Sequence, residues 1–254
     1  MGNSDALNES ILGGDWGRRL SVVLLSVVLT LVLTLMANEA FSRAGSAPRG
    51  GASGVAGEGF RIIAYCVGCV VAAVTGILLG MALHRKKRRS KAVILESRLS
   101  DTFWHLGEME KHSKRVFLEM QKAWKGRDMT PFRALVSDSL YKDYELKLEK
   151  MRDKKEVNIL NSITVKNVDI IGAEDFLNNE DDKFSVYIDG EMQDYIVNEW
   201  TGDLLYGTSR EVRPFSDIYH FIRVNNQWIL NSIDGKVTVL DVVMSKNSRE
   251  REPV

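Results

Sequence analysis

The sequence predicts a membrane helix followed by an α+β domain in which two helices lie on a curved antiparallel sheet. Three observations predict it. From Phe60 to Leu83 the only charged residue is Arg61. Beyond Leu95, apolar residues recur at three-, four- and eight-residue steps as far as Met151, the spacing of a helix face. Beyond Ile159 the period drops to two and β-branched residues dominate, as in strands that bury one face.

The chain begins polar, from Met1 to Gly17, and Arg18-Arg19 then precedes an apolar run from Leu20 to Ala37. Small residues at Ala40 and Ser42 follow. Residues 1–42 therefore read as a signal peptide or as a first membrane helix. Residues 43–59 are rich in Gly, Ala and Ser, a composition that buries no core and predicts a linker. Residues 60–83 make roughly 36 Å of helix, enough to cross a bilayer.

Two cysteines, Cys66 and Cys69, lie within that run. A C-x-x-C pair in an apolar helix lacks the further ligands of a metal site and the polar surroundings of a reactive thiolate. They read as small apolar side chains. Gly68, Ala72, Gly76 and Gly80 recur every four residues, a stripe that would let a second helix approach closely, including that of another copy.

Residues 84–94 hold Arg85, Lys86, Lys87, Arg88, Arg89 and Lys91. Clustered Lys/Arg is retained on the cytoplasmic side of a membrane. The run thus predicts an inner-membrane protein with its C-terminal domain in the cytoplasm, and it would also attract anionic lipid.

Residues 95–243 form the domain. Leu95, Leu99, Phe103, Leu106, Met109, Phe117, Met120 and Trp124 predict one long amphipathic helix. Gly126 to Met129 breaks it, and Thr130-Pro131 supplies a cap and a first-turn proline. Phe132, Val136, Leu140, Tyr144, Leu148 and Met151 then mark a second helix.

A strand follows over Ile159 to Ile171, and a polar turn from Glu174 to Lys183 leads into a second. In that strand Phe184, Val186, Ile188, Met192 and Ile196 share a face, with an interruption near Gly190. Trp200 to Asp203 reads as a turn, and Arg213 to Val224 as a third strand. Asn225-Asn226-Gln227 turns it into a fourth, Trp228 to Ile233. Residues 244–254 read as a flexible tail.

Charge narrows the function. Residues 1–92 carry 11 Lys/Arg against 5 Asp/Glu, leaving 23 against 29 for the rest. An acidic domain is a poor nucleic-acid binder. There is no phosphate-cradling glycine loop, nucleophile elbow or His-Glu metal pattern, so no cofactor, metal or catalytic residue is assigned. His105 and His112 lie seven apart without a third ligand, and Asp189, Glu191 and Asp194 read as a solvated strand face. His220, Asp194 and Tyr219 are the groups that an enzymatic cone-shaped domain would have to use.

Several stretches resemble the C-terminal domain family of the mitochondrial import inner membrane translocase subunit 44. They are Phe117-Leu118-Glu119-Met120-Gln121-Lys122-Ala123-Trp124, Leu135-Val136-Ser137, Leu140-Tyr141 and Asn161-Ser162-Ile163-Thr164-Val165, then Gly190 to Tyr195, Phe221-Ile222-Arg223 and Trp228-Ile229-Leu230. The resemblance runs from about residue 95 to 235 and extends to the bacterial members' layout of leader, linker, one membrane helix and domain. It implies a fold similar to the nuclear transport factor 2-like cone, with an apolar pocket and no enzyme activity.

It further implies docking at the inner face of a membrane, with translocase, insertase or ribosome components or anionic lipid as partners. The pocket and core residues it implies are Phe117, Met120, Trp124, Leu140, Tyr141, Phe184, Tyr187, Tyr195, Phe221 and Trp228. The mitochondrial protein's long chaperone-recruiting N-terminal region is absent. Two other readings stay open: a scaffold like the type IV secretion assembly factor, with an exported domain, and a small-molecule-binding or enzymatic cone.

Overall fold

The computed structural model describes residues 53–251, with side chains from 64 to 249. The predicted leader over 1–42 and the first part of the predicted linker, 43–52, lie outside the described residues. Two compact units divide between Ile77 and Leu78.

In the first unit the chain is already helical at Ser53. Helix α1 runs Ser53–Ser97, so residues 53–59 are helix and not linker. Tyr65, Val70 and Ile77 leave 74%, 54% and 63% of their surface exposed, which water would penalise and lipid would not. Among the described residues, one helix is long and apolar enough to cross a membrane, within Ala64–Ser97. Gly68 and Gly76 have open space where a side chain would begin.

The second unit contains the domain. The long helix expected from Leu95 onward is instead broken. Chain turns occupy 98–105, and α2 spans Leu106–Lys125. Three side chains cause the break. Ser97 donates its hydroxyl to Asp175 at 2.6 Å, Asp101 accepts the Phe103 N–H at 2.9 Å, and His105 caps α2 through Glu108 N–H. Leu99, one of the apolar positions of that predicted helix, is 85% exposed.

The second helix also starts later than expected. A 3-10 turn covers Thr130–Leu135, and α3 spans Asp138–Asp153 behind an N-cap at Ser137. Between them the Ser137 N–H bonds the Leu230 carbonyl at 2.9 Å. That bond pulls the chain into an extended conformation that a continuous helix could not adopt.

The sheet comprises β1 (Glu156–Phe176), β2 (Lys183–Asn198), β3 (Leu204–Gly207), β4 (Arg213–Val224), β5 (Gln227–Gly235) and β6 (Asn247–Arg251). A short helix α4, Val239–Met244, precedes β6. The strand order is β5-β4-β2-β1-β6, with β3 pairing the far end of β2. Four strands were expected, and six occur among the described residues. β3 and β6 are too short to show a period of two. β6 lies inside the predicted tail because Asn247 and Lys246 offer oxygens to the Ala173 N–H, each at 3.1 Å.

Register shifts interrupt the β1–β2 pairing at three places, and such bulges curl a sheet. The β2 strand is not interrupted at Gly190. A Cβ there would lie 2.0 Å from the Thr164 carbonyl and 2.9 Å from the Phe215 ring. Glycine therefore permits close approach in the middle of a continuous strand.

The curl separates two apolar clusters. On one face Phe117, Val116 and Met120 of α2 meet Ile170, Phe184, Val186, Tyr219 and Phe221. On the other, Ile171, Tyr187 and Ile218 are covered by Ala82 and Val242.

Candidate functional site

Phe117, Met120, Phe184, Phe221 and Trp228 are buried in the main cluster, with Leu140 at its margin and Trp124 and Tyr141 partly buried against it. Tyr187 lies on the opposite face of the sheet, because strand side chains alternate and it follows Val186. Tyr195 is half-buried, paired with Ile159 across β1 and β2. Trp124 donates its indole N–H to Asn158 at 3.1 Å and so joins α2 to β1. Trp228 joins β5 to the turn before α2, its ring 5.1 Å from Phe103 and 5.2 Å from Trp104.

An open cleft of about 800 Å³ lies where these elements meet, between the start of α2, the 3-10 turn and the β4–β5 hairpin. Its floor is apolar: Phe103, Met109, Leu135, Trp228 and Ile229. Its rim carries His105, Lys111, Arg115 and Glu108. The hairpin turn is made by Asn225 and Asn226, both at positive φ (49° and 55°), a conformation that Asn tolerates.

His112 organises one wall. Its Nε2 lies 2.8 Å from the Trp228 carbonyl, an acceptor only, so Nε2 carries the proton and donates. The lone pair of Nδ1 then accepts from Arg115, 3.0 Å away. Burial holds His112 below its ordinary pKa, the Arg115 charge adds to this, and the Trp228 carbonyl opposes it. A neutral imidazole is what this relay requires, and it fixes the Arg115 guanidinium at the rim. Lys111 is paired with Glu108 at 2.9 Å. The cleft can hold an apolar side chain or chain segment and meet an anionic group at its edge.

A second concavity, of about 450 Å³, opens between α2, α3 and the sheet, and Trp124, Tyr144, Tyr219, Gln121, Asp194 and Asp217 help to line it. Burial alone pushes Asp217 up to about 6. Burial, then the Asp217 and Asp143 charges, push Tyr144 up to about 12. Tyr219 stands well above its ordinary value for the same leading reason.

A carboxyl that titrates higher in the folded than in the unfolded chain binds more protons when folded, so stability falls as pH rises through the window from about 4 to 6. Asp217→Asn is expected to stabilise the protein at pH 7 by about 1–2 kcal/mol, allowing for partial solvation, and to flatten that decline. Thermal melts at pH 4.5 and 7 check it.

His220 bonds Ser185 at 2.8 Å through Nδ1 and Asp234 at 2.9 Å through Nε2. The three residues resemble a nucleophile–base–acid row, yet they sit on three adjacent strands, and the backbone N–H groups around Ser185 are engaged in pairing on both sides of β2. Asp194 accepts from Asn158 at 2.6 Å, Glu191 pairs with Lys166 at 2.5 Å, and Asp189 accepts from Asn167 at 3.0 Å. No group of three metal-ligating side chains occurs among the described residues.

The juxtamembrane run divides in two. Lys86 bonds the Ser245 carbonyl and Lys87 pairs with Asp169, while Arg88, Arg89 and Lys91 are exposed. Gly80 has open space beside it and Ala72 is exposed.

Arg115 and Asp217 were not singled out in the sequence, and His112 was weighed there only with His105 as an incomplete metal pair. A histidine among charged residues of an amphipathic helix is a signal that many solvated histidines share.

A family model described as the Tim44-like domain matches residues 90–235. Among solved structures, the chain is similar to the intermembrane space region of chloroplast protein ARC6. The two are 10% identical, with a TM-score of 0.36 over 49% of this chain and 94% of that one. No curated protein matches.

Proposed function

This chain belongs to the family of Tim44-like domains, and from that membership we propose that it is a membrane-anchored docking protein. Domains of this family are non-enzymatic scaffolds associated with membranes and translocation machinery. We read α1 as the anchor, the curled sheet over α2 and α3 as a cone like that of nuclear transport factor 2, and the cleft at Phe103 and Trp228 as the docking surface. The partner is a component of translocation or insertion machinery, or of the ribosome, at the cytoplasmic face of an inner membrane. The carrying observation is the cleft itself, an open apolar floor with the Arg115 guanidinium fixed at its edge. Such surfaces take an apolar anchor residue while the rim selects charge.

A photo-crosslinking amino acid at Ala134, an exposed position lining the cleft, tests it in the full chain in its own membrane. A discrete adduct with a translocation, insertion or ribosomal component is expected there, and none from Lys150 on α3. Equal labelling at both positions, or none at Ala134, would overturn the reading.

A further inference from the structure

The short helix α4 has an amphipathic face that the domain leaves uncovered. Val242 is fully buried, but Leu240, Val243 and Met244 are 65%, 40% and 69% exposed. Positions i, i+3 and i+4 share one side of a helix, so these three form a single apolar strip. We propose that α4 is a second membrane contact, inserting Leu240, Val243 and Met244 into the boundary between headgroups and acyl chains of the bilayer that α1 crosses. The inference rests on reading α1 as a membrane span and goes beyond it.

Position argues for the bilayer as occupant. Val242 shares one apolar cluster with Ala82, against which Leu79, Leu83, Val237 and Val239 also pack. Leu79 to Leu83 is the last apolar turn of α1 before the basic run. At the C-terminal end of α4, Ser245 gives its carbonyl to Lys86, the second residue of that run. The strip therefore lies beside the level at which α1 passes from apolar to basic, where a spanning helix meets the interface.

Charge fits the same surface. Lys236 and Lys246 flank α4, and their stems can lie along acyl chains while their heads reach phosphates. Asp241 would be repelled by anionic lipid, but its carboxylate is turned back on the helix start. It accepts the Thr238 N–H and hydroxyl, each at 2.7 Å. It also lies about 100° around the helix from Leu240, off the strip.

Anchorage is firm, since Gly172 lets the Lys246 carbonyl pass where a Cβ would sit 2.9 Å from it. A rigid amphipathic turn held beside a span buries its apolar side chains without the ordering cost that a free peptide would bear.

The test uses the full chain with Cys66→Ser and Cys69→Ser, reconstituted in vesicles of phosphatidylethanolamine and phosphatidylglycerol. Single-cysteine variants Met244→Cys, Val70→Cys and Thr201→Cys each carry an environment-sensitive fluorophore. Quenching is read with spin labels placed shallow or deep in the lipid. The expected result is blue-shifted emission at 244 with greater loss to the shallow label, greater loss to the deep label at 70, and neither at 201. Quenching at 70 with aqueous emission at 244 would overturn the proposal and leave the span standing. Emission at 244 that is dry but untouched by lipid labels would overturn it in favour of a protein partner or second copy. Aqueous emission at 70 would overturn both readings.

Discussion

Replacing Arg223 with Met is expected to cost about 3–5 kcal/mol of stability, the usual loss when one partner of a buried ion pair is removed. Only 4% of Arg223 is exposed, yet its side chain serves four groups. It pairs with Asp182 at 3.0 Å and with Asp101, bonds the Asn226 amide oxygen at 2.7 Å, and lies 4.1 Å over the Phe103 ring. Those partners come from the turn before α2, the β1–β2 loop and the β4–β5 hairpin. Methionine fills the volume but leaves a fully buried carboxylate without its cation.

The loss should carry a pH signature. Burial pushes Asp182 up to about 6 even with Arg223 and the Phe176 N–H opposing it. Without the guanidinium it should rise further, so protonation relieves the variant more than the native chain. The deficit is expected to be larger at pH 8 than at pH 5. For a chain of this size it would lower Tm by about 10 °C at neutral pH. Thermal melts of the full chain in detergent at the two pH values read both effects. A loss under about 1 kcal/mol that does not change with pH would mean that water replaces Arg223 readily.

The same network shows what the sequence could and could not express. Phe117 and Phe184 were legible because burial imposes a period on helices and strands, and the period survives in the residue order; Phe221 was reached only through the family resemblance. Asp101, Asp182 and Arg223 are 81 and 41 positions apart along the chain and carry no common period. Each reads locally as a turn residue or as a charge at a strand end. Their meeting is decided by how β1 curls, which three bulges set, and a bulge leaves little trace in composition.

The break after Ser97 was hidden for a related reason. Leu95, Leu99, Phe103 and Leu106 keep helical spacing, but Asp175 and Asp101 stop the helix by bonding its end. The cleft inherits this difficulty. Its apolar floor holds Trp228, which the resemblance implied among pocket and core residues, whereas the His112–Arg115 relay depends on a carbonyl 116 positions along the chain.

Neutralising Arg88, Arg89 and Lys91 to Gln is expected to loosen the orientation of the whole chain while leaving the domain folded. On the proposed orientation the basic run does two jobs with different residues. Lys86 and Lys87 hold α4 and β1, so changing them would confound topology with folding. Arg88, Arg89 and Lys91 are exposed, and on the proposed orientation their charge is what retains this end of α1 on the cytoplasmic side. Glu149→Cys in a Cys66→Ser, Cys69→Ser background places one exposed thiol on α3. A membrane-impermeant maleimide should label it only after cells are permeabilised.

With the three charges removed, a fraction should become labelled in intact cells, since half of the six basic residues of the run remain to hold the rest. Labelling of the native sequence in intact cells would place the domain outside. It would remove ribosome and cytoplasmic translocase partners from the cleft and favour an exported scaffold such as a secretion-system assembly factor. The α4 proposal would survive that outcome, because an interfacial strip beside a span meets lipid on either side of a bilayer. On these two proposals orientation and lipid contact are separable, one resting on the exposed charges of Arg88, Arg89 and Lys91 and the other on Leu240, Val243 and Met244, which the domain leaves uncovered.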